Sequence, residues 1–320
     1  MAVYTDVAAE DLIVFLDDYD LGGLLSLKGI AEGVENSNYL LQTDRGHYIL
    51  TIYEKRVSAR DLPFFLGLMD HLAERAFPCP TPIHGRDGAA LRQVAGKPAA
   101  IVSFLEGISV RRPTTENCAQ LGAALAVMHL AGADFATHRT NALSVSDWRP
   151  LYDRAKADAD SVEPGLAENI ARELDDIERT WPRDLPNGVI HADLFPDNVL
   201  FLEGRLSGFI DFYFACNDYY AYDIAVCLNA WCFENDGSFN ITKAKALLTA
   251  YRKERPITPE ELAALPLLAR GAALRFLLTR LYDWINTPKE ALVTPKDPLE
   301  YLEKLKFHQG VSSPGAYGLE

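Results

Sequence analysis

Residues 189–201 read VIHADLFPDNVLF, and residues 207–212, a few positions later, read SGFIDF. Apolar residues flank a polar loop on both sides, so the pattern predicts a strand, a loop, a second strand, a turn and a third strand. The loop has the spacing H-x-D-x-x-x-x-N, in which D is Asp193 and N is Asn198, and Asp211 ends the third strand. We therefore expect three oxygen-bearing side chains to converge on one point.

These residue types, in this order, are the ones with which phosphoryl-transfer enzymes supply a base and two metal ligands. The reaction needs an aspartate that accepts the proton of the substrate hydroxyl, and hard oxygen atoms that hold Mg²⁺ against nucleotide phosphates. We assign the first role to Asp193 and the second to Asn198 and Asp211. His191 joins Asp193 in the predicted catalytic loop, where it organises the loop by hydrogen-bonding the backbone. The alternative is ordinary turn residues between strands, since Asp, Asn and Pro are common there.

Length and composition restrict the kind of protein. A chain of 320 residues exceeds the usual single core, so we expect an α+β protein with two lobes. A formal net charge of −14 argues against nucleic acid or an anionic membrane as a partner, because nothing would offset the phosphate repulsion. Small cationic or zwitterionic substrates remain open.

Cysteine usage and the N-terminus both point to the cytoplasm. The five cysteines are odd in number and form no C-x-x-C pair, so we expect neither disulfides nor a zinc site, but buried thiols. Residues 1–20 carry acids where a signal peptide would need a basic start, and no uncharged segment reaches membrane-spanning length. We expect a cytoplasmic enzyme, either a monomer or a homodimer.

The first part of the chain predicts a small antiparallel sheet with helices. Apolar spacing indicates helices and strands in this order: helix 8–19, strands 24–30, 38–43 and 46–53, helix 58–76, and strands 90–94 and 98–105. Glu106-Gly107 is then interpreted as a hinge. It divides the chain into an N-terminal nucleotide-binding lobe, residues 1–105, and a C-terminal catalytic and substrate-binding lobe, residues 106–320.

The connection before the second strand contains glycines and is interpreted as a phosphate-covering loop, with an ordinary hairpin turn as the alternative. Gly33 lets this loop approach the phosphates, and the side chains of Ser37 and Asn38 point inward. Backbone groups from Ser103 to Leu105 are expected to meet the adenine edge.

Beyond the hinge the pattern turns helical. Helices are predicted from residue 114 or 115 onward, then over 147–159, 164–181, 241–253 and 299–307, and over 259–285 with a break at Pro266. His129 is interpreted as a buried histidine with satisfied hydrogen bonds. Asp223 either caps its helix or braces the loop at His191, and we favour the brace. Residues 309–320 are expected to be a mobile tail.

This arrangement resembles the aminoglycoside phosphotransferase and choline kinase branch of the protein-kinase-like fold, over residues 24 to 305. Within that branch four segments look like the bacterial homoserine kinase family; they are residues 32–39, 61–66, 189–201 and 274–284. The resemblance implies that ATP and L-homoserine give ADP and O-phospho-L-homoserine, a step of threonine biosynthesis, with Mg²⁺ as cofactor. It also implies the roles of Asp193, Asn198 and Asp211 given above.

The sequence departs from this family's pattern in the third strand. Such kinases usually place a lysine there against the phosphates, but this chain has Thr51 near that position. Lys55, or its neighbour Arg56, is therefore expected to replace it. The helix glutamate that normally pairs with that lysine has no clear match, and only Asp61 and Glu74 are at hand.

An amino-acid substrate needs a cation for its carboxylate and an acid or carbonyl cage for its ammonium group. The candidates are Tyr213, Asp218, Tyr220, Arg275 and Arg280. For Arg280 the alternative is a surface ion pair within its own helix.

Other functions remain open at this stage. The same fold serves kinases of choline, ethanolamine, hydroxylysine and methylthioribose, and antibiotic-modifying phosphotransferases. A nucleotide-binding module without chemistry is a further alternative, motivated by the missing lysine.

Overall fold

The computed structural model describes residues 5–30, 36–54, 58–288 and 294–319. These residues form ten strands, nine α-helices and four short 3₁₀ turns. The strands are β1 (Leu24–Gly29), β2 (Ser37–Thr43), β3 (Gly46–Ile52), β4 (Leu91–Val94), β5 (Lys97–Ser103), β6 (Ile108–Ser109), β7 (Asn187–Ile190), β8 (Val199–Leu202), β9 (Arg205–Phe209) and β10 (Cys216–Tyr219). The helices are α1 (Ala9–Leu16), α2 (Leu62–Glu74), α3 (Thr115–Ala131), α4 (Val145–Asp153), α5 (Leu166–Thr180), α6 (Tyr220–Trp231), α7 (Ile241–Glu254), α8 (Pro259–Asn286) and α9 (Leu299–Gln309).

The first five strands form one antiparallel sheet in the order β1-β2-β3-β5-β4. Its centre is β3, whose side chains alternate between two faces. Leu50 and Ile52 pack into a core shared with α1, whereas Ile49 belongs to the larger core that contains α2 and the later helices. The predicted small antiparallel sheet is confirmed.

After Ser103 the described chain becomes mainly helical, with two short sheets, β6-β8-β9 and β7-β10, beneath the loops that follow β7 and β9. The α+β fold class is therefore confirmed. The division of the chain into two lobes at residue 105 stays a prediction. Strand β10 was not predicted, since its sequence CNDY is short and polar and only pairing with β7 makes it a strand.

Helix α8 corrects one expectation. It runs unbroken from Pro259 to Asn286 with Pro266 in its interior, so the predicted break is wrong. Proline removes one helical hydrogen bond, but α8 packs against α4, α6 and α9, and this tertiary packing outweighs the local loss. By length and composition α8 alone among the described helices could cross a membrane, yet its apolar side chains from Leu265 to Leu281 lie largely in the core.

The C-terminal segment, residues 309–319, corrects a second expectation. The expected mobile tail instead forms a 3₁₀ turn over Pro314–Tyr317, and both Tyr317 and Leu319 are buried. The hydroxyl of Tyr317 donates a hydrogen bond to Nδ1 of His308, 2.8 Å away. The glycines and serines there shape a turn rather than a flexible end.

Candidate active site

The loop after β7 turns sharply at Ala192. This residue adopts a left-handed backbone conformation (φ 63°), which is costly for a residue with a side chain. The conformation is held by the carboxylate of Asp223 on α6, which accepts hydrogen bonds from the backbone N–H groups of His191 (2.8 Å) and Ala192 (2.9 Å). The predicted bracing role of Asp223 is confirmed.

Asp223 is fully buried, so its charge needs compensation. Its second partner is Nε2 of His129, 3.1 Å away, whose Nδ1 accepts from the hydroxyl of Tyr251 at 2.7 Å. Burial by itself would raise the pKa of Asp223, but the hydrogen bonds from the His129 side chain and the His191 backbone bring it below its ordinary value. The interpretation of His129 as a buried, satisfied histidine is confirmed.

Asp193 follows this turn and is held from two sides. The side-chain nitrogen of Asn198 donates to the backbone oxygen of Asp193 at 2.7 Å and lies 3.4 Å from its carboxylate oxygen Oδ2. The guanidinium of Arg275 lies 3.6 Å from the other carboxylate oxygen and donates to the carbonyl of Ala192 at 3.1 Å. The Asp193 carboxylate is therefore fixed by its neighbours while 19% of the side chain stays exposed to a ligand.

Asp211 is tied to the same loop through the residue before it. The N–H of Ile210 donates to the carbonyl of Asn198 at 3.0 Å, and Nε2 of His191 donates to the carbonyl of Ile210, also at 3.0 Å. Asp211 itself is exposed and in the left-handed region (φ 64°). The predicted convergence is seen as a direct contact for Asp193 and Asn198, and the convergence of the Asp211 carboxylate on them stays a prediction.

His191 is a positioning residue rather than a proton carrier. It is fully buried, and burial lowers the pKa of its imidazole although the charge of Asp223 acts in the opposite direction. The lowered pKa favours the neutral form. Its bond to the Ile210 carbonyl places the proton on Nε2. The expectation that His191 organises the loop agrees with these contacts, whereas direct participation in proton transfer does not.

The donor atoms beside Asp193 suit Mg²⁺, which prefers hard oxygen ligands and usually takes one or two carboxylates together with substrate phosphates. Because the amide nitrogen of Asn198 is used by the loop, its amide oxygen remains for a cation. No group of three or more His, Cys, Asp or Glu side chains suited to a metal occurs in the described part of the chain. The oxygen atoms of Asn198 and Asp211 fit a cation that is bound together with nucleotide phosphates.

A cavity of about 290 Å³ lies beside the catalytic loop. It is lined by polar and aromatic residues from several elements: Ser58, Asp61, Phe65, Arg139, Asn141, Ala142, Leu143, Ala192, Tyr213, Phe214, Tyr222 and Arg275. Two predicted substrate residues, Tyr213 and Arg275, are among them. Asp218 lies behind the wall, where its carboxylate accepts a 2.7 Å hydrogen bond from Asn141 and burial raises its pKa.

The other two predicted substrate residues do not belong to this cavity. Tyr220 is buried beneath the guanidinium of Arg255, whose central carbon lies 4.3 Å from the centre of the tyrosine ring. Arg280 pairs with Glu300 of α9 at 2.6 Å. Neither residue lines this cavity, and their roles in substrate binding stay predictions, since helix periodicity does not reveal which neighbouring element a side chain meets.

The predicted nucleotide residues have mixed outcomes. Ser37 is buried, and its hydroxyl donates to Glu54 at 2.8 Å instead of pointing to a phosphate. Asn38 accepts a 2.9 Å hydrogen bond from Thr51, so these two side chains hold the sheet together. The amide of Ser103 donates to the carbonyl of Thr81.

Three nucleotide predictions remain. Leu105, two residues beyond Ser103, stays the predicted contact for the adenine edge. Gly33 and Lys55 lie outside the described residues.

The sequence does not predict the ion pair between Arg139 and Asp61. Their side chains meet at 2.8 Å although they are 78 positions apart. Arg139 sits in the loop RTN without an apolar pattern around it, so no periodicity or spacing marks it. Only the fold brings it to the cavity.

The contact between Asp193 and Asn198, beside a polar cavity in this α+β topology, is the arrangement expected of a kinase-like phosphotransferase. The model of the phosphotransferase enzyme family matches residues 26–257. The chain therefore belongs to the phosphotransferase enzyme family, and its full-length relatives place it among the homoserine kinases of that family.

The relatives and a solved structure support this at two levels. Homoserine kinases of Rhodospirillum rubrum and Xanthobacter autotrophicus are 64% and 65% identical over 319 residues, which is 100% of this chain and 99% of each relative. An amicoumacin kinase solved in complex with AMP-PNP, Ca²⁺ and Ami superposes with a TM-score of 0.68 at 17% identity, covering 94% of this chain and 92% of that one. The structural likeness concerns the fold alone.

Proposed function

We propose that the protein is an ATP-dependent kinase that phosphorylates the hydroxyl group of L-homoserine to give O-phospho-L-homoserine, a step of threonine biosynthesis. The observation that carries this proposal is the identity of 64% to 65%, over the whole chain, to curated homoserine kinases. The cavity beside Asp193 adds support, since a small polar alcohol fits its size and lining.

In the proposed reaction the substrate hydroxyl lies against the partly exposed carboxylate of Asp193. Asp193 accepts the hydroxyl proton, the substrate oxygen forms a bond to the γ-phosphorus of ATP, and the bond from that phosphorus to the bridging oxygen breaks to release ADP. Arg275 and Asn198 keep the carboxylate in place during this transfer. Asp223 holds the strained turn that presents it.

Asn198 and Asp211 are the residues that would hold Mg²⁺ together with the nucleotide. When bound, the ion neutralises negative charge on the phosphates. We place the reaction in the cytoplasm, and the five cysteines, all free and buried, are consistent with a reducing compartment.

An assay of ADP release tests the proposed substrate. Homoserine, choline, ethanolamine, methylthioribose and kanamycin are compared as acceptors at equal concentration. We expect homoserine to be turned over with the highest kcat/KM. A higher value for any other acceptor in this set would exclude the proposed function.

Variants of the two carboxylates test the assigned roles. Asp193→Ala and Asp211→Ala should each lower kcat by about a thousandfold, because a general base or a metal ligand is lost. Asp197→Ala is the matched control, since Asp197 is an exposed acid in the same loop, and its activity should stay near that of the wild type. Circular dichroism checks that the variants fold. A wild-type rate in either of the first two would remove the assignment.

A further inference from the structure

Arg139 and Asp61 form an ion pair in the wall of the cavity beside Asp193. The Nε of Arg139 lies 2.8 Å from a carboxylate oxygen of Asp61, and the two side chains are 18% and 33% exposed. Asp61 occupies the N-cap position of α2, yet its carboxylate makes no capping hydrogen bond. The side chain that normally caps a helix is turned toward Arg139 and the cavity instead.

The guanidinium of Arg139 is held in one orientation. Its Nη1 donates to the carbonyl of Ala215 at 3.0 Å, and its plane lies over the ring of Phe65, 4.9 Å from the ring centre. Among the described residues these contacts, with the bond to Asp61, use Nε and Nη1 and leave Nη2 for a ligand. A cation fixed before binding loses little side-chain freedom when it takes up an anion.

The second arginine that lines the cavity, Arg275, already has partners in the protein. Arg275 is almost fully buried, donates to the carbonyl of Ala192 and lies beside the carboxylate of Asp193. A substrate carboxylate placed on Arg275 would compete with the catalytic carboxylate for the same charge. Arg139 is therefore the cation better placed to receive a negatively charged substrate group.

An α-amino acid carries an ammonium and a carboxylate group on one carbon atom. A fixed pair of one carboxylate and one guanidinium offers the opposite charges at a similar separation, so each charge of the substrate meets its complement. We propose that Arg139 binds the α-carboxylate of the acceptor and Asp61 its α-ammonium group. This pair then selects amino acids over other small alcohols, an inference that rests on the proposed function.

Two shortened acceptors test the assignment. 3-Aminopropan-1-ol is homoserine without the carboxylate, and 4-hydroxybutanoate is homoserine without the ammonium group. Steady-state kcat and KM are measured for all three in the wild type, Arg139→Gln, Arg139→Lys and Asp61→Asn. We expect Arg139→Gln to lower kcat/KM for homoserine by about a hundredfold, mainly through KM, because a charge-assisted contact is lost. The value for 3-aminopropan-1-ol should change by less than about threefold, since that acceptor has no carboxylate.

Asp61→Asn should show the mirror pattern, with a loss for homoserine and little change for 4-hydroxybutanoate. Arg139→Lys keeps the charge but not the planar group, so it should retain part of the preference for homoserine. Arg92→Gln is the matched control. Arg92 is 16% exposed, pairs with two aspartates and lies over Tyr19, but it does not line this cavity, so its variant should keep the wild-type preference.

Equal losses for homoserine and 3-aminopropan-1-ol in Arg139→Gln would overturn the proposal and leave Arg139 as a brace between Asp61 and Ala215. An unchanged preference would overturn it as well. A wild-type protein that does not phosphorylate homoserine would instead refute the proposed function.

Calorimetry with homoserine then decides the Arg139 assignment separately. Binding to the wild type that weakens at least tenfold in both Arg139→Gln and Arg139→Lys supports it. Equal binding of homoserine to the wild type and the two variants overturns it, and so does a wild type that binds no homoserine.

Discussion

At the scale of single residues, buried histidines show how surrounding contacts fix a protonation state. The imidazole of His308 lies between the hydroxyl of Tyr317 at 2.8 Å and Oδ1 of Asn229 at 3.2 Å. Asn229 uses its side-chain nitrogen to donate to the carbonyls of Ala225 and Ala269, so its oxygen must accept from Nε2 of His308. Nδ1 is then the acceptor for Tyr317, and the ring is neutral.

This arrangement predicts a measurable dependence of stability on pH. Burial, with a smaller contribution from Lys304, lowers the pKa of His308 to about 3 from the ordinary value of 6.5. As pH falls below 6.5, the unfolded chain binds a proton that the folded protein does not. Stability is therefore lost, by about 1.4 kcal/mol per pH unit for one such group. We expect His308→Gln to reduce the slope of unfolding free energy between pH 6.5 and 5 by about that amount in urea titrations.

His84, whose pKa is shifted in the opposite direction from that of His308, provides the control. The pKa of His84 is raised by its hydrogen bond to the carbonyl of Gly88 and by Asp70, so His84 stabilises the fold below pH 6.5 and loses this effect as pH rises through its folded pKa. His84→Gln should therefore remove a gain of stability as the pH falls from the folded pKa of His84 to 6.5, and leave the slope between pH 6.5 and 5 unchanged. Parallel curves for the wild type and His308→Gln would show that His308 is not held neutral.

At the scale of elements, helices α3 and α7 pack closely against each other at a glycine. Gly122 of α3 faces the backbone of Leu247, and an added Cβ there would lie 2.1 Å from the Leu247 carbonyl oxygen. Backbone atoms inside a packed helix cannot move aside as a flexible side chain can. The glycine therefore sets how closely the two helices approach each other.

A pair of glycine substitutions tests this contact. Gly122→Ala should destabilise the protein by about 3 kcal/mol or more, since the added methyl group forces α3 and α7 apart. Gly67 in α2 is the control, because a Cβ there meets only the Phe135 ring at 3.7 Å. Gly67→Ala should be neutral or stabilising by up to about 1 kcal/mol, as alanine favours helices. Equal thermal midpoints for the two variants would contradict the role of Gly122.

The elements were largely predictable because their patterns are local. The apolar periodicity of β3 and that of α9 each involve residues that are near in sequence. The same holds for the cap at Thr114, whose side chain accepts a hydrogen bond from Asn117 three residues later. Pro266 and β10 were not predictable, because in both cases packing or pairing with distant elements decides the outcome. Local sequence signals predict an element well unless tertiary contacts contradict them.

At the scale of the whole molecule, the residues of the site also fall into two groups: those that a local sequence motif predicts and those that only tertiary contacts bring together. The loop residues Asp193 and Asn198 are five positions apart, so a sequence motif captures them. The groups that orient and surround the loop come from α6, α8 and the segment after α3, namely Asp223, Arg275 and Arg139. Their roles depend on contacts between residues that are dozens of positions apart, and no spacing in the sequence encodes such contacts.

The C-terminal segment illustrates how distant contacts complete the fold. The turn over Pro314–Tyr317 contacts α7 and α8, and both Tyr317 and Leu319 are buried in the core. The prediction of a mobile end fails here because only two buried side chains anchor an otherwise small and polar stretch. What they contribute to stability can be measured by removing them.

A chain ending at Gln309 loses both anchors and leaves His308 without its tyrosine partner. Burying a large apolar side chain contributes about 1.5 to 3 kcal/mol, so the truncation should cost about 4 kcal/mol and lower the thermal midpoint by roughly 10 °C. Tyr317→Phe keeps the buried ring and loses only the hydroxyl, so its cost should be about 1 kcal/mol. Below the midpoint the truncated enzyme should keep its kcat, because these residues do not line the cavity at Asp193. An unchanged midpoint after truncation would mean that the segment does not stabilise the core.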